Sequence, residues 1–239
     1  MRPATVKNRA GPMLEFLLAI LIFLAAHVVP AATGLRARLI ARFGRRAYLA
    51  LYSLVSLATL AWVIWAALTA PYIELWAPSR AAALVPLALM LPAAILLVAA
   101  AFQPAPLSVS FRAGLPDTRP ATGRAGLASL LRHPLLWAFF LWAASHLVAN
   151  GDLVSVILFA SLAAFSLAGM GRLERRARQR LSVVDHAAAT AFYGASFGAR
   201  LKRLAICRVL LEIVVGGLLY AAALHLHGPV IGVDPLAWL

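Results

Sequence analysis

The sequence predicts an all-α fold, a polytopic membrane helical bundle of about six transmembrane helices. Two of the observations behind it are compositional. The chain is 63% hydrophobic and only 13% charged, where ordinary soluble domains run about 45–50% apolar and about 25% charged. Its apolar residues also gather in runs close to the ~20 needed to cross ~30 Å of hydrocarbon. The third observation is where the charge lies. The net +14 is concentrated in arginines between the apolar runs, with no aromatic-interleaved soluble module to carry them, so nucleic acid is not an expected partner and the lipid bilayer is.

Six spans follow in order. The first covers Met13–Ala32; its apolar run is longer than a signal-peptide core, and cleavage after it is the rival reading. The second covers Tyr48–Thr69 and the third Ala82–Phe102. The fourth, Pro134–Ala149, starts on a proline suited to the first helical position, where a missing N–H costs nothing. Asn150-Gly151-Asp152 then stops it and turns the chain. The fifth, Leu153–Gly171, therefore pairs with the fourth as an antiparallel hairpin. The sixth runs from about Ala205 to Leu226. The basic stretch between the last two reads either as an interfacial helix or as a solvated loop. Cys207 is the one cysteine, so there is no intrachain disulfide and no Cys-rich metal cluster.

Arginine and lysine set the expected sidedness. The loops after spans one, three and five, with Arg208, carry eighteen of them, including Arg112, Arg119, Arg124 and Arg132. The other side carries four: Arg2, Lys7, Arg9 and Arg80. The positive-inside rule puts the rich loops in the cytoplasm and both termini on the non-cytoplasmic side.

Ionisable groups inside spans need a reason, because a charge at the centre costs about 2.5–3.5 kcal/mol. Glu212 follows Arg208 by four residues, so the two share a helix face and read as a juxtamembrane ion pair, with a proton relay as the alternative. His225 and His227 fall at the outer membrane edge before Gly228-Pro229 and read as interfacial residues. His133 and His146 are thirteen residues apart on one helix, ~20 Å along its axis and ~140° around it. They cannot serve one atom. His133, between Arg132 and Pro134, marks the cytoplasmic mouth of span four. His146 lies inside the apolar run with Trp142 one turn back, and His27 lies inside span one. Each is open to three readings: interhelical hydrogen bonding, proton transfer, or ligation of a metal or haem. Zinc would want more ligands than the sequence groups together. An imidazole on each of two facing helices is what an axial haem pair requires. His27 with His146 is the first such pair, although their depths along the spans differ; His146 with His225 is the substitute.

A histidine in the first span, "LRARLIARFGRRAYLALYSLVSL" after it, and the block "RHPLLWAFFLWAASHLVANGD" together resemble the NnrU family. Its members are bacterial integral membrane proteins associated with denitrification, and plastid 15-cis-zeta-carotene isomerase is a relative. The resemblance covers roughly Met13 to Leu181 and weakens beyond. It implies a tail over 1–12, an NnrU-like membrane domain over 13–226 and a tail over 227–239, in a multi-pass protein of the bacterial inner membrane. It also implies haem b, with the relative's ligand histidines falling on His27 and His146. Arg132, His133, Pro134, Asn150, Gly151 and Asp152 complete the motif. The relative's switching cysteine falls on Ala143, so its cysteine-dependent switch does not carry over. Three functions are expected in turn. The first is haem-dependent support of nitric oxide or nitrite metabolism without catalysing the reduction, with a gaseous or lipid-soluble small molecule and an unidentified redox partner. The second is isomerisation of a polyene-like lipid. The third is a cofactor-free transporter or assembly factor.

Overall fold

The computed structural model describes residues 10–102, 107–109 and 125–237. Arg2, Lys7 and Arg9, and Arg112, Arg119 and Arg124 of the sidedness count, lie outside the described residues. The helices are α1 (Ala10–Ala32), α2 (Leu35–Thr69), α3 (Arg80–Phe102), α4 (Pro134–Ala149), α5 (Leu153–Arg180), α6 (Val183–Gly194), α7 (Phe197–Leu201) and α8 (Ile206–Ile231), with a 3₁₀ turn at Leu127–Leu130 before α4. The protein is all-helical and multi-pass. Five helices, α1, α2, α3, α5 and α8, are long and apolar enough to cross a membrane. The predicted fourth span, α4, is apolar too, but its 16 residues reach only about 24 Å.

Three boundaries move. Helix α2 begins at Leu35 rather than Tyr48, and it breaks at Gly44, whose φ of 79° and ψ of 159° are non-helical. That φ suits glycine, which has no Cβ to clash. Helix α5 continues past Gly171 to Arg180, carrying its basic tail beyond the apolar part. Helix α8 runs on through Pro229 to Ile231 and ends on Gly232, whose φ of 86° makes a left-handed cap. The stretch after α5, left open between helix and loop, holds the two short helices α6 and α7.

The chain forms two compact units, one of residues up to Trp76 with Asp152–Leu158, the other of Ala77–Gly151 with Phe159 onward. In the first unit α1 and α2 pack antiparallel. Phe16, Ala19 and Ile20 meet Val63 and Ala66, with Val154 from α5 closing the cluster. The Trp62 indole N–H donates to Glu15 Oε1 at 3.3 Å. Leu153 N–H donates to Ile73 O at 2.9 Å, and Asp152 Oδ1 accepts from Ser155 N–H at the start of α5, which explains why an Asp ends the turn.

In the second unit α3 packs on both α4 and α8. Its inner face is small: Ala93, Ala94, Val98, Ala99 and Ala100 are buried. Helix α8 meets it at Gly216, where a Cβ would come within 2.6 Å of the Ile95 Cα. Small residues at such crossings let backbones approach closely in lipid, where water does not drive the association. The α4–α5 hairpin is antiparallel as predicted: the Trp142 and Phe159 rings are 5.6 Å apart, and further along Arg132 Nη1 pairs with Glu174 Oε1 at 3.3 Å. Large apolar side chains such as Leu57, Leu68 and Leu218 are more than 60% exposed. Such exposure is ordinary for a surface that lipid covers.

Candidate functional site

The block that opens α4 and the one that ends it do different work. His133 is the N-cap residue and Pro134 the first helical one, as the sequence indicated. His133 is buried, and its Nε2 stands 3.8 Å from Glu174 Oε2, whose other oxygen holds Arg132. Its Nδ1 is buried with no hydrogen-bond partner among the described residues. Burial lowers the His133 pKa below its ordinary 6.5; the Glu174 carboxylate opposes that shift and Arg132 adds to it. Tyr193 of α6 lies near Arg132 and Arg200, and burial pushes its phenol up to about 12. This end of α4 is a set of polar ties that fix the helix start.

At the other end Asn150 caps α4, its N–H and its Nδ2 both donating to His146 O. One turn in, the His146 Nδ1–H donates to Trp142 O at 2.8 Å. The indole of Trp142 and the ring of Phe159 flank the imidazole at 5.8 and 5.2 Å. The neighbour that matters chemically is His227 of α8, whose ring centroid is 6.4 Å from that of His146. The His227 Nδ1–H donates to Val233 O at 2.7 Å, a carbonyl delivered by the turn after Gly232. Both rings therefore carry their proton on Nδ1, leaving Nε2 with the lone pair.

The two imidazoles stand on a cavity of about 140 Å³ that opens to the surface. Pro86, Leu87 and Met90 of α3 form one wall, Ala149 and Asn150 come from the end of α4, and Tyr220, Ala223, Leu224 and His227 come from α8. Val233 and Pro235 close it from the C-terminal turn. A second, nearly wholly apolar cavity of about 280 Å³ shares Met90, Tyr220 and Ala223 with the first. It runs on past Trp142 to Leu97, Ala138 and Phe139. Between the two, Tyr220 donates its hydroxyl to Leu87 O at 2.9 Å.

His225 is exposed, and the imidazole beside His146 is that of His227. The signal was present in the sequence. Positions 220, 223, 224 and 227 fall at helical spacing on one face, and 225 lies on the other. His27 belongs to the first unit. Its Nδ1–H donates to Phe23 O at 2.7 Å, and its ring packs at 4.4 Å on Phe23 and 5.7 Å on Tyr52, which stacks on Tyr48. Gly151 and Asp152 complete the turn after α4 and line no part of the cavity. Ala143 is fully buried. Glu212 pairs with Arg208 at 3.3 Å as the spacing predicted. It does more than that: buried in α8, its Oε2 accepts the Leu127 N–H at 2.7 Å and so pins the 3₁₀ turn before α4.

Among the described residues no three of His, Cys, Asp and Glu converge as a metal site. Two imidazoles are too few for a bare zinc ion but sufficient as axial ligands of a haem, whose ring supplies the rest. The donor set fits. Metal-bound histidines usually donate their second N–H to a carbonyl or carboxylate, as both rings do here. Among the described residues the cavity wall carries no arginine or lysine.

No curated protein and no solved structure matches the chain. The family described as NnrU protein matches residues 15–235. The match reaches past Leu181 to include α8, His227 and the C-terminal turn. The chain, an all-helical multi-pass protein with its cavity closed by that turn, belongs to the NnrU family.

Proposed function

We propose that this NnrU protein binds haem b through His146 and His227 and supports nitric oxide or nitrite metabolism in the bacterial inner membrane without itself reducing the substrate. The observation that carries the reading is the His146–His227 pair, with rings 6.4 Å apart and both Nδ1 protons committed to backbone carbonyls. A bound haem would supply one-electron chemistry and affinity for small gaseous ligands. With His146 and His227 both holding it, such a haem would serve electron transfer or sensing rather than reduction of the substrate. Trp142 orients His146 through its carbonyl and covers one side of the ring. Tyr220 fixes α8 to α3, and the Val233 carbonyl holds His227 in the ligating tautomer. The apolar cavity beside the pair suits a lipid-soluble or gaseous molecule arriving from the bilayer.

The visible spectrum of detergent-purified protein tests this. A Soret band is expected in the wild type and is expected to be lost in His146→Ala and in His227→Ala, while His27→Ala keeps it. Loss in His27→Ala with retention in His227→Ala would return the second ligand to His27. A folded, membrane-inserted but colourless protein would overturn the haem reading altogether.

A second reading, cis–trans isomerisation of a polyene-like lipid, is favoured by the apolar cavity of about 280 Å³ that continues from the first. Conversion of a cis-polyene by the reconstituted protein would select it.

A further inference from the structure

The α1–α2 hairpin leaves a piece of chain outside its own packing. Its antiparallel register is marked by Glu15 with Trp62, by Phe16, Ala19 and Ile20 with Val63 and Ala66, and by His27 with Tyr52. Extended to the end of α1, that register carries Ala32 to about the level of Arg46. Residues 33–45 therefore project beyond the paired helices. Within them Leu35–Phe43 is helical and is cut off from the rest of α2 by the break at Gly44. Nine residues make a rod of about 13 Å.

Composition says what covers this rod. Arg36, Arg38, Arg42, Arg45 and Arg46 fall in it or at its end, and the chain holds no Asp or Glu between Glu15 and Glu74. Among the described residues none of the five makes an ion pair. Interleaved with them are exposed apolar side chains, Leu35 at 37% and Phe43 at 57%, with the Arg42 guanidinium lying over the Phe43 ring at 5.4 Å. A free loop in water gains nothing from exposing Phe43, and a protein partner is not needed to cover it. Cations alternating with bulky apolar groups, at the junction of two apolar spans, match the boundary between headgroups and acyl chains.

We infer that Leu35–Arg46 is a docking surface for the phosphates of anionic phospholipids. The arginines take phosphate oxygens as forked donors, and Leu35 and Phe43 enter the upper acyl layer. The glycine break lets this segment turn along the surface while the rest of α2 enters the bilayer. Each arginine near an acidic surface contributes about 1 kcal/mol, so three together correspond to roughly a hundredfold in lipid preference.

The test uses full-length protein reconstituted in mixed bilayers, with spin-labelled phosphatidylglycerol compared against spin-labelled phosphatidylcholine. The wild type is expected to immobilise phosphatidylglycerol preferentially. The combined Arg36→Gln, Arg38→Gln, Arg42→Gln variant is expected to lose most of that preference. An unchanged preference in the variant overturns the inference, and so does its abolition in the wild type by excess inorganic phosphate, which would assign the arginines to free phosphate. Should the triple variant fail to fold, a nitroxide on Phe43→Cys in a Cys207→Ser background decides. A label about 5–10 Å below the headgroup plane supports the surface, and a fully aqueous label removes it.

Discussion

The two units are held together in opposite ways. The first is an apolar hairpin whose core is Phe16, Ala19, Ile20, Val63 and Ala66, and its histidine is absorbed into a stack of rings. The second is tied by buried polar groups: Glu212 to Leu127 and Arg208, His133 to Glu174, Arg200 to Leu130, Tyr220 to Leu87. His27 and His146 make the same bond to the carbonyl four residues back, yet His27 is packed among Phe23 and Tyr52 while His146 looks onto a cavity. At the cavity itself Tyr220 on α8 is tied to Leu87 on α3, both lining residues, while the other ties hold the opposite end of α4.

Breaking the polar ties should therefore cost most. Glu212→Ala leaves Arg208 and the Leu127 N–H short of a buried acceptor and is expected to destabilise by about 3–5 kcal/mol, read as a lowered Tm of the detergent-solubilised protein. Phe16→Ala in the first unit is expected to cost less, about 2 kcal/mol, because lipid replaces water as the solvent and chiefly the packing loss remains. A Phe16 variant costing more than the Glu212 variant would erase the contrast. Gly44→Ala should cost about 1 kcal/mol, since a Cβ is strained at positive φ.

The smallest effect is a slope. The His133 pKa is lowered on folding, so the unfolded chain binds more protons near its ordinary value of 6.5 and stability rises with pH there. The neutral imidazole's contribution is complete above about 6.5 and is lost as pH falls toward the folded pKa. Thermal unfolding of wild type and His133→Gln across that window should show the slope only in the wild type. A wild type that gains stability on acidification would mean that the pair with Glu174 outweighs burial.

Much of this was written in the sequence because hydropathy and proline are local signals. Pro134 after His133, the Asn150-Gly151-Asp152 turn and the Arg208–Glu212 spacing each gave the right element or pair. The break at Gly44 was hidden because one dihedral angle reverses the helix without any change in composition. Helix α8 outlasted its Gly-Pro signal, since a proline in the last turns removes only one hydrogen bond. That extension turned His227 from an edge residue into a wall of the cavity. The Glu212–Leu127 bond spans 85 residues, and no periodicity reports a contact of that separation. His27 and His146 looked equivalent in the sequence because both are single imidazoles in apolar runs; the rings and cavities around them are tertiary.

The contact at Gly216 has a mechanical meaning. Helices α3 and α8 are opposite walls of the space beside His146, and at Gly216 they approach backbone to backbone with no room for a methyl group. Rotamer changes cannot alter the gap at that point. A rocking of one helix over the other would turn about Gly216 as its fulcrum and be felt most at the far end, where His227 and the C-terminal turn sit.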